Sequence, residues 1–296
     1  WLKHKAKHPS IITPQPVAIV MAPVKFDDIA KTANEVFNDD YQTSGYQLKA
    51  KQKTAWDGAI VTTAVDLFPA KDSCMTPAKL TWKLPSPLGF PAFVVDKLEV
   101  DKSGGVKMDL SSDKVVKGLK LECKSDLADI NKLMASCTYT GIKDTQLKLD
   151  TKVMSPDQFT CEVTRAQGPA TIGVKAAMAT LTTPDVGVRF VHGPMFAALA
   201  VKEKFGACTA SCHYKVSDQL RCAAAFTLGG KQNGSYTCGV AYEIQKGTAL
   251  KAKFQQDQSV SCSLKHNLSK GFTLLGGLKY DISKGSCGYG FQVSIE

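Results

Sequence analysis

The sequence predicts an all-β fold with a single helix near its N-terminus, and three observations support this. Only one segment, near residues 26–38, has the 3.6-residue hydrophobic period of a helix. From Tyr46 to Glu296 the period is 2, which is typical of strands. Turn residues such as Asn233-Gly234 interrupt the alternation at short intervals, as in consecutive hairpins.

Composition excludes two broad classes of protein. The chain has 296 residues, 44% hydrophobic and 22% charged, with a formal net charge of +10. It is too apolar for a disordered chain and too charged for a bundle of membrane helices. The longest apolar runs, such as Met195 to Val201, are about a third of the roughly 20 residues that a membrane-spanning helix needs.

Residues 1–20 are predicted to be a basic extension outside the fold. They contain three lysines, three prolines and no acidic residue, and Met21-Ala22-Pro23 has the form of a natural start. Resemblance to a mitochondrial transit peptide is an open alternative for this segment. The predicted division is therefore the extension 1–20, a helix and hinge over 21–45, and the strands over 46–296.

The helix is predicted from Phe26 to Asn38. Its apolar face holds Phe26, Ile29, Ala33, Val36 and Phe37, while charged and polar residues take the other face. Asp27 and Asp28 suit the positive end of the helix dipole, whereas Asp39 and Asp40 should fray the other end. The same spacing also fits a helix on the core of a soluble α+β domain.

The strands require either a sandwich or a barrel. In a soluble sandwich the apolar face points to a core, and in a membrane barrel it meets lipid. A single sheet of this many strands has edges that only closure removes, and one helix cannot cover its apolar face. We therefore expect a transmembrane β-barrel whose polar faces line the lumen, with the lipid bilayer as its first partner.

No catalytic or metal-binding arrangement stands out. The ten cysteines form no CxxC pair, and in Cys208-x3-Cys212-His213 the histidine points away from the two cysteines on a strand. The histidines have no paired carboxylates or nucleophile motif. We expect no enzyme activity, no cofactor, no metal and no nucleic-acid partner.

Nearly all of residues 23–296 resemble, with gaps, the mitochondrial porins, the voltage-dependent anion channels of the mitochondrial outer membrane. Residues Phe26 to Phe37, ending at Tyr41, resemble the family's N-terminal helix, and Lys117-Gly118-Leu119-Lys120-Leu121 resembles its glycine-leucine-lysine stretch. The C-terminal signature is also similar, through Tyr242, Thr248, Ala252, Lys253, Phe254, Ser261 and Leu264. Gln245, Gln255 and Gln256 depart from it.

The resemblance implies a specific barrel and specific partners. It implies 19 strands, with the first and last strands parallel and closing near Tyr46–Thr54 and Cys287–Ile295, and the helix against the inner wall. It implies transport of ATP, ADP, phosphate and chloride, and nucleotide contact at Gly118, Leu119 and Lys120. It also allows a homo-oligomer and partners such as a kinase or the adenine-nucleotide carrier.

Lysines on the polar side of the strands predict an anion-attracting lumen. Each lysine alone also fits a solvated surface charge, so the prediction depends on their sum. The predicted pore-lining set is Lys31, Lys49, Lys51, Lys53, Lys120, Lys124, Lys148, Lys251, Lys253, Lys265 and Lys279.

A further expectation concerns gating. In the family the helix is linked to voltage gating, so Phe26, Ile29, Ala33, Val36 and Phe37 form the predicted gating face, with Gly45 as the only glycine of the hinge. Asn34 and Asp39 stand about where animal members carry basic residues, which predicts milder anion preference.

Asp96 shares its alternating face with Val94, Leu98 and Val100, and is therefore predicted to face the membrane. A shifted register that turns it inward stays open as an alternative. Two other functions also stay open. One is a related import pore for unfolded polypeptides, which would have a more acidic lumen, and the other is a soluble β-sandwich that binds acidic ligands.

Overall fold

The computed structural model describes residues 22–54, 58–67, 78–89 and 92–296. The predicted extension 1–20 lies outside these described residues. Within them, no helix is long and apolar enough to cross a membrane.

The N-terminal helix is broken rather than continuous. A 3₁₀ turn, Phe26–Asp28, is followed by the helix α1, Lys31–Asn38. Ala30 lies between them with φ −97° and ψ 9°, outside the helical region, and it has no side chain that could cap α1. The predicted single helix is wrong at this point because hydrophobic spacing continues across the break.

Nineteen strands follow in the described residues, separated by short turns. They are β1 Gly45–Lys53, β2 Ile60–Asp66, β3 Ala78–Leu84, β4 Val94–Asp101, β5 Val106–Val116, β6 Leu119–Asp126, β7 Asp129–Tyr139, β8 Thr145–Lys152, β9 Ser155–Gln167, β10 Ala170–Ala177, β11 Asp185–His192, β12 Met195–Lys202, β13 Ala207–Lys215, β14 Leu220–Gly229, β15 Ser235–Gln245, β16 Thr248–Gln255, β17 Ser259–Ser269, β18 Phe272–Asp281 and β19 Ser286–Ile295. Single 3₁₀ turns occupy Pro87–Gly89, Met178–Thr180 and Gly230–Gln232.

The strands form one closed sheet. Each strand pairs antiparallel with the next, and β1 closes the barrel by pairing in parallel with β19, with Gly45 opposite Gly290 and Lys49 opposite Ser294. This confirms the barrel, its 19 strands and its parallel seam. It overturns the soluble sandwich, because there is one closed sheet rather than two facing sheets.

The two faces of the barrel have different chemistry. The short N-terminal segment contacts β9, β10 and β13–β15, and it also approaches glycines of β18 and β19. A segment this short reaches such widely spaced strands only from the concave side, so it lies inside the barrel. The outward face carries exposed apolar side chains such as Ile172, Phe190, Leu199 and Phe226.

Candidate functional site: the barrel lumen

Small residues on the inner wall form a seat for the N-terminal segment. Phe26, Ile29, Ala33, Val36 and Phe37 are all buried, and they form one apolar cluster with Phe196, Ala198, Ala223 and Ala241 of the wall. The predicted apolar face of the helix is therefore the face that packs. Burial of this face supplies about 25 cal/mol for each Å² of apolar surface removed from water.

Glycines on the inner wall let the segment approach closely. A Cβ on Gly187 would lie 2.8 Å from the Ile29 side chain, and one on Gly239 would lie 3.0 Å from the Phe37 ring. Larger residues at these positions would displace the segment. The sequence contained a signal for this close packing, namely glycines at inward positions of the alternating strands.

The beginning of the segment is anchored by polar contacts with β9 and β10. The backbone N–H of Phe26 donates to the Glu162 carboxylate, and Lys175 Nζ lies 2.9 Å from the Asp27 carboxylate. The ammonium groups of Lys175 and Lys202 lie 6.0 and 5.8 Å from the centre of the Phe26 ring, within range for a cation–π interaction. Sequence reasoning did not select these wall residues, because their partners are more than a hundred residues away along the chain.

The end of α1 is anchored by two lysines of the wall. Lys253 Nζ donates to the carbonyl of Phe37 at 2.8 Å, and Lys251 Nζ donates to the carbonyls of Glu35 and Asp39 at 3.0 and 3.1 Å. These lysines place positive charge at the negative end of the helix dipole. They offset the fraying that the acidic run Asp39-Asp40 was predicted to cause.

Asp40 completes this anchor. Its carboxylate lies 2.9 Å from Lys265 Nζ and 3.4 Å from Lys251 Nζ, while its backbone adopts φ 61° in the left-handed region. Burial acts to raise the pKa of Asp40, but the hydrogen bonds and charges of Lys265 and Lys251 outweigh it, so the pKa lies below its ordinary value of 3.8. Burial also raises the pKa of the neighbouring Tyr41, which stays a neutral phenol at physiological pH.

The linker between α1 and β1 lies along glycines of the last two strands. Its residues 42–44 approach so closely that a Cβ on Gly277 or Gly290 would overlap the linker backbone. Gly45 then begins β1 with φ 72°, a conformation that glycine adopts without steric cost. The predicted hinge glycine is thus the first residue of the barrel, one position earlier than the predicted start.

The predicted lysines lie on the inward face of their strands, but they are not equivalent. Five adjacent strands, β16–β19 and β1, form a basic sector in which Asp281 is the one inward acidic residue. The inward lysines of this basic sector are Lys49, Lys51, Lys53, Lys251, Lys253, Lys265 and Lys279.

The opposite part of the wall has mixed charge. Lys120 Nζ lies 2.6 Å from the Glu122 carboxylate, and Lys148 forms an ion pair with Asp150. These two predicted lysines are therefore largely neutralised, although Lys124 has no ion pair among the described residues. Lys31, on the exposed face of α1, lies 4.0 Å from Asp28. Sequence alternation placed the lysines on the inward face but did not identify their carboxylate partners.

The glycine-leucine-lysine stretch lies at one rim of the barrel. Gly118 has φ 83° in the turn between β5 and β6, and the backbone of Gly141 in the neighbouring turn lies close to it. Leu119 is on the outward phase of β6, and Lys120 is on the inward phase beside Glu122. Only Lys120 of the three therefore presents a side chain to the lumen.

Asp96 does not follow the alternation on which its predicted orientation depended. A β-bulge in β4 shifts the register between Val95 and Lys97, and Asp96 is the extra residue. Its carboxylate lies 3.5 Å from Nζ of Lys83, which shares the inward phase of β3 with Lys79 and Thr81. We therefore correct the membrane-facing assignment of Asp96, and the alternative in which it turns inward fits the bulge.

The cysteines of the described strands lie on the outward phase of the barrel. Cys208 and Cys212 pair with outward residues of β12 and β14, while His213 is buried on the inward face. The nine cysteines of the described residues are free thiols. The same residues contain no group of three or more potential ligands arranged to hold a metal ion.

A closed barrel with an apolar outer belt, a charged inner wall and a helix seated inside it defines a membrane-spanning β-barrel pore. The chain belongs to the eukaryotic porin family, whose profile matches residues 22–290. It is thus a multi-pass barrel of the outer-membrane type and a channel for small solutes rather than an enzyme.

Two solved structures are similar in shape to this chain. A structure described as "Asymmetric conductivity of engineered proteins" has a TM-score of 0.49 and 10% identity, covering 79% of this chain and 96% of that one. A triple mutant of the porin of Rhodopseudomonas blastica has a TM-score of 0.47 and 9% identity, covering 79% and 94%. These similarities concern shape alone. A search of curated proteins finds no significant sequence match.

Proposed function

We propose that this porin is a voltage-gated, weakly anion-selective pore of the mitochondrial outer membrane, which passes chloride, phosphate, ADP and ATP. The observation that supports the selectivity is the basic sector, whose strands carry seven inward lysines and one inward acidic residue. Four of these lysines are ion-paired with Asp40, Asp257 or Glu296, so the proposal depends on the other three. Lys49 and Lys53 make no ion pair with the described residues, so their charges remain available to solutes.

Selectivity in such a pore comes from the sign of the wall charge. In a wide pore hydrated ions pass without losing their water, so no site has to replace the hydration shell. The field of the lysines instead raises the local concentration of anions and lowers that of cations. This effect is weak and sensitive to salt, because the Debye length is about 10 Å at 0.1 M ionic strength and about 3 Å at 1 M.

We propose voltage gating because the N-terminal segment carries a net negative charge. Residues 26–40 hold five carboxylates and one lysine, and their acidic end is seated on the basic sector. Displacement of this segment would move negative charge through the membrane field. Moving one elementary charge across the full membrane changes the free energy by about 2.3 kcal/mol for each 100 mV. Displacement would also change the charge that the lumen presents to solutes.

Planar-bilayer recording of the refolded full chain tests the proposal. We expect large pores that prefer chloride under a salt gradient and that step to smaller conductances at both polarities. Anion preference should decline between 0.1 and 1 M salt. Preference for cations would contradict the proposed selectivity, and cation preference with block by a basic presequence peptide would favour the import pore.

Nucleotide contact is tested separately by adding ATP to the same pores. If Lys120 binds the phosphates, ATP must compete with Glu122, so the variant Glu122→Gln should increase the ATP-induced reduction in chloride conductance. The matched control is Glu99→Gln, which removes an ion-paired inward carboxylate of β4. An equal effect of both variants would show that ATP senses only the total charge of the lumen.

A further inference from the structure

One arginine of the inner wall is buried without a partner. Arg189, on the inward phase of β11, is only 9% exposed, and its Nε has no hydrogen-bond partner. Its guanidinium makes no ion pair with any described residue. A buried charge of this kind is costly unless an opposite charge or several hydrogen bonds compensate for it.

Two buried threonine hydroxyls near Arg189 are also unpartnered. Thr171 lies directly opposite Arg189 across the β10–β11 pair, and Thr164 lies on the next strand, opposite Gly173. Both threonines are 0% exposed, and their hydroxyl oxygens have no hydrogen-bond partner. Unsatisfied donors therefore lie on the inward face of three adjacent strands, β9, β10 and β11, one of which carries a buried positive charge.

The first turn of the N-terminal segment covers this cluster. Ile29 and Phe26 contact the wall at Gly173 and Gly187, the inward neighbours of Thr171 and Arg189 on their own strands. The burial of Arg189, Thr171 and Thr164 favours a ligand no larger than a small ion.

Neither of the nearby carboxylates forms an ion pair with Arg189. Glu162 accepts the Phe26 N–H, and Asp28, whose charge acts on Arg189, lies 4.0 Å from Lys31 with its side chain 39% exposed. Residues 1–21, which lead into this region, contain no Asp or Glu. Water could accept hydrogen bonds from Arg189, but it would add no negative charge to the partial compensation that Asp28 supplies.

We propose that Arg189, Thr171 and Thr164 bind a chloride ion beneath the first turn of the N-terminal segment, and that this ion stabilises the docked state of the segment. Guanidinium N–H groups and hydroxyls donate hydrogen bonds to the anion, which compensates for the buried positive charge. The inference goes beyond ion passage, since the site holds an ion within the wall and does not depend on the selectivity of the open pore.

Crystals grown in bromide test occupancy directly. We expect an anomalous bromide peak within hydrogen-bonding distance of Arg189 Nε in the unmodified protein, and no such peak in the variant Arg189→Gln. The matched control is Arg221→Gln, which removes an exposed inward arginine of β14 and should keep the peak. Absence of the peak from the unmodified protein, or its persistence in Arg189→Gln, would overturn the proposal.

Hydrogen exchange of the α1 amides tests the link to docking. The exchange is compared in gluconate and chloride buffers of equal ionic strength, with chloride at ten times its dissociation constant. Protection of the amides of residues 31–38 against exchange should be about elevenfold higher in chloride. Arg189→Gln should abolish this chloride dependence, and in gluconate its protection should equal or exceed that of the unmodified protein, because an uncompensated charge is gone.

The variant Asp28→Asn separates the anion from a direct ion pair. If chloride compensates Arg189, Asp28→Asn keeps the chloride dependence of exchange. If Asp28 itself pairs with Arg189, the unmodified protein shows no chloride dependence and Asp28→Asn lowers protection in both buffers. The second result would overturn the proposal whether or not the channel prefers anions in a bilayer.

Discussion

Lys253 donates a hydrogen bond of 2.8 Å from its ammonium group to the backbone carbonyl of Phe37, in the last turn of α1. The lysine belongs to β16 and the carbonyl to the N-terminal segment, so this bond joins the C-terminal half of the barrel wall to the helix. Together with the bonds of Lys251 it satisfies carbonyls that the end of a helix leaves without an intrahelical partner.

Replacing Lys253 should loosen α1. A hydrogen bond to a charged group contributes about 1.5–3 kcal/mol, so Lys253→Gln should speed hydrogen exchange of residues 31–38 by about tenfold or more. Lys279→Gln is the matched control, because Lys279 is an inward lysine of the same basic sector whose ion pair is with Asp257 in a turn. Equal exchange in both variants would mean that Lys253 does not hold the helix.

Acid should release the end of α1 only at low pH. The lysines hold the pKa of Asp40 below 3.8, so its carboxylate contributes fully to docking above that value. The contribution is lost as the pH falls through the lowered pKa. NMR spectra of the α1 amides should therefore stay constant from neutral pH to about pH 4 and change below it.

The variant Asp40→Asn tests the cause of that transition. It should weaken docking at neutral pH and remove the acid transition of α1. Asp218→Asn, at an exposed turn carboxylate paired with Lys215, should preserve it. A transition between pH 6 and 7 in the unmodified protein would show that a group other than Asp40 controls docking.

The linker should be sensitive to a single methyl group. In Gly277→Ala the new Cβ would overlap the backbone of residue 42, and the linker would have to leave its position on β18. Gly276→Ala adds the same methyl on the outward face, where the nearest atom would be 3.8 Å away in the Phe291 ring. We expect faster protease cleavage within residues 41–44 for Gly277→Ala only, and equal cleavage in the two variants would contradict the close approach.

Reversing the charge of Lys49 and Lys53, which make no ion pair with the described residues, should change ion selectivity. In the variant Lys49→Glu/Lys53→Glu, the energy of a monovalent anion in the lumen should rise by about one kT, and that of a monovalent cation should fall by the same amount. The ratio of local anion to cation concentration then falls about sevenfold. The reversal potential under a salt gradient measures this change. The control is Lys246→Glu/Lys270→Glu, which makes the same change of net charge in two turns at the rim, and an equal shift in the control would refute a role for the inner wall.

The sequence predicted features that depend on local periodicity. The apolar face of the helix was identified because Phe26, Ile29, Ala33, Val36 and Phe37 follow helical spacing and are all buried. The inward phase of Lys49 and Lys251 was identified because a strand alternates strictly between its two faces. The number of strands and the parallel seam came instead from family resemblance, since closure joins the two ends of the barrel.

Features that depend on neighbouring strands were missed or wrongly assigned. A single extra residue at Asp96 breaks the alternation, and no local pattern distinguishes a bulge from a regular strand. The neutralisation of Lys148 depends on Asp150, and the anchor of Phe26 depends on Glu162, so both require knowledge of the register. The break of the helix at Ala30 was hidden because apolar spacing continues across it.

The parallel seam between β1 and β19 has a consequence for the order of folding. Its contacts join residues as much as 245 positions apart, as between Lys51 and Glu296, whereas every other strand pairs with its neighbour in sequence. Closing so long a loop costs more chain entropy than forming a hairpin. The seam is therefore expected to form last, and until then β1 and β19 present unpaired edges that other chains could join.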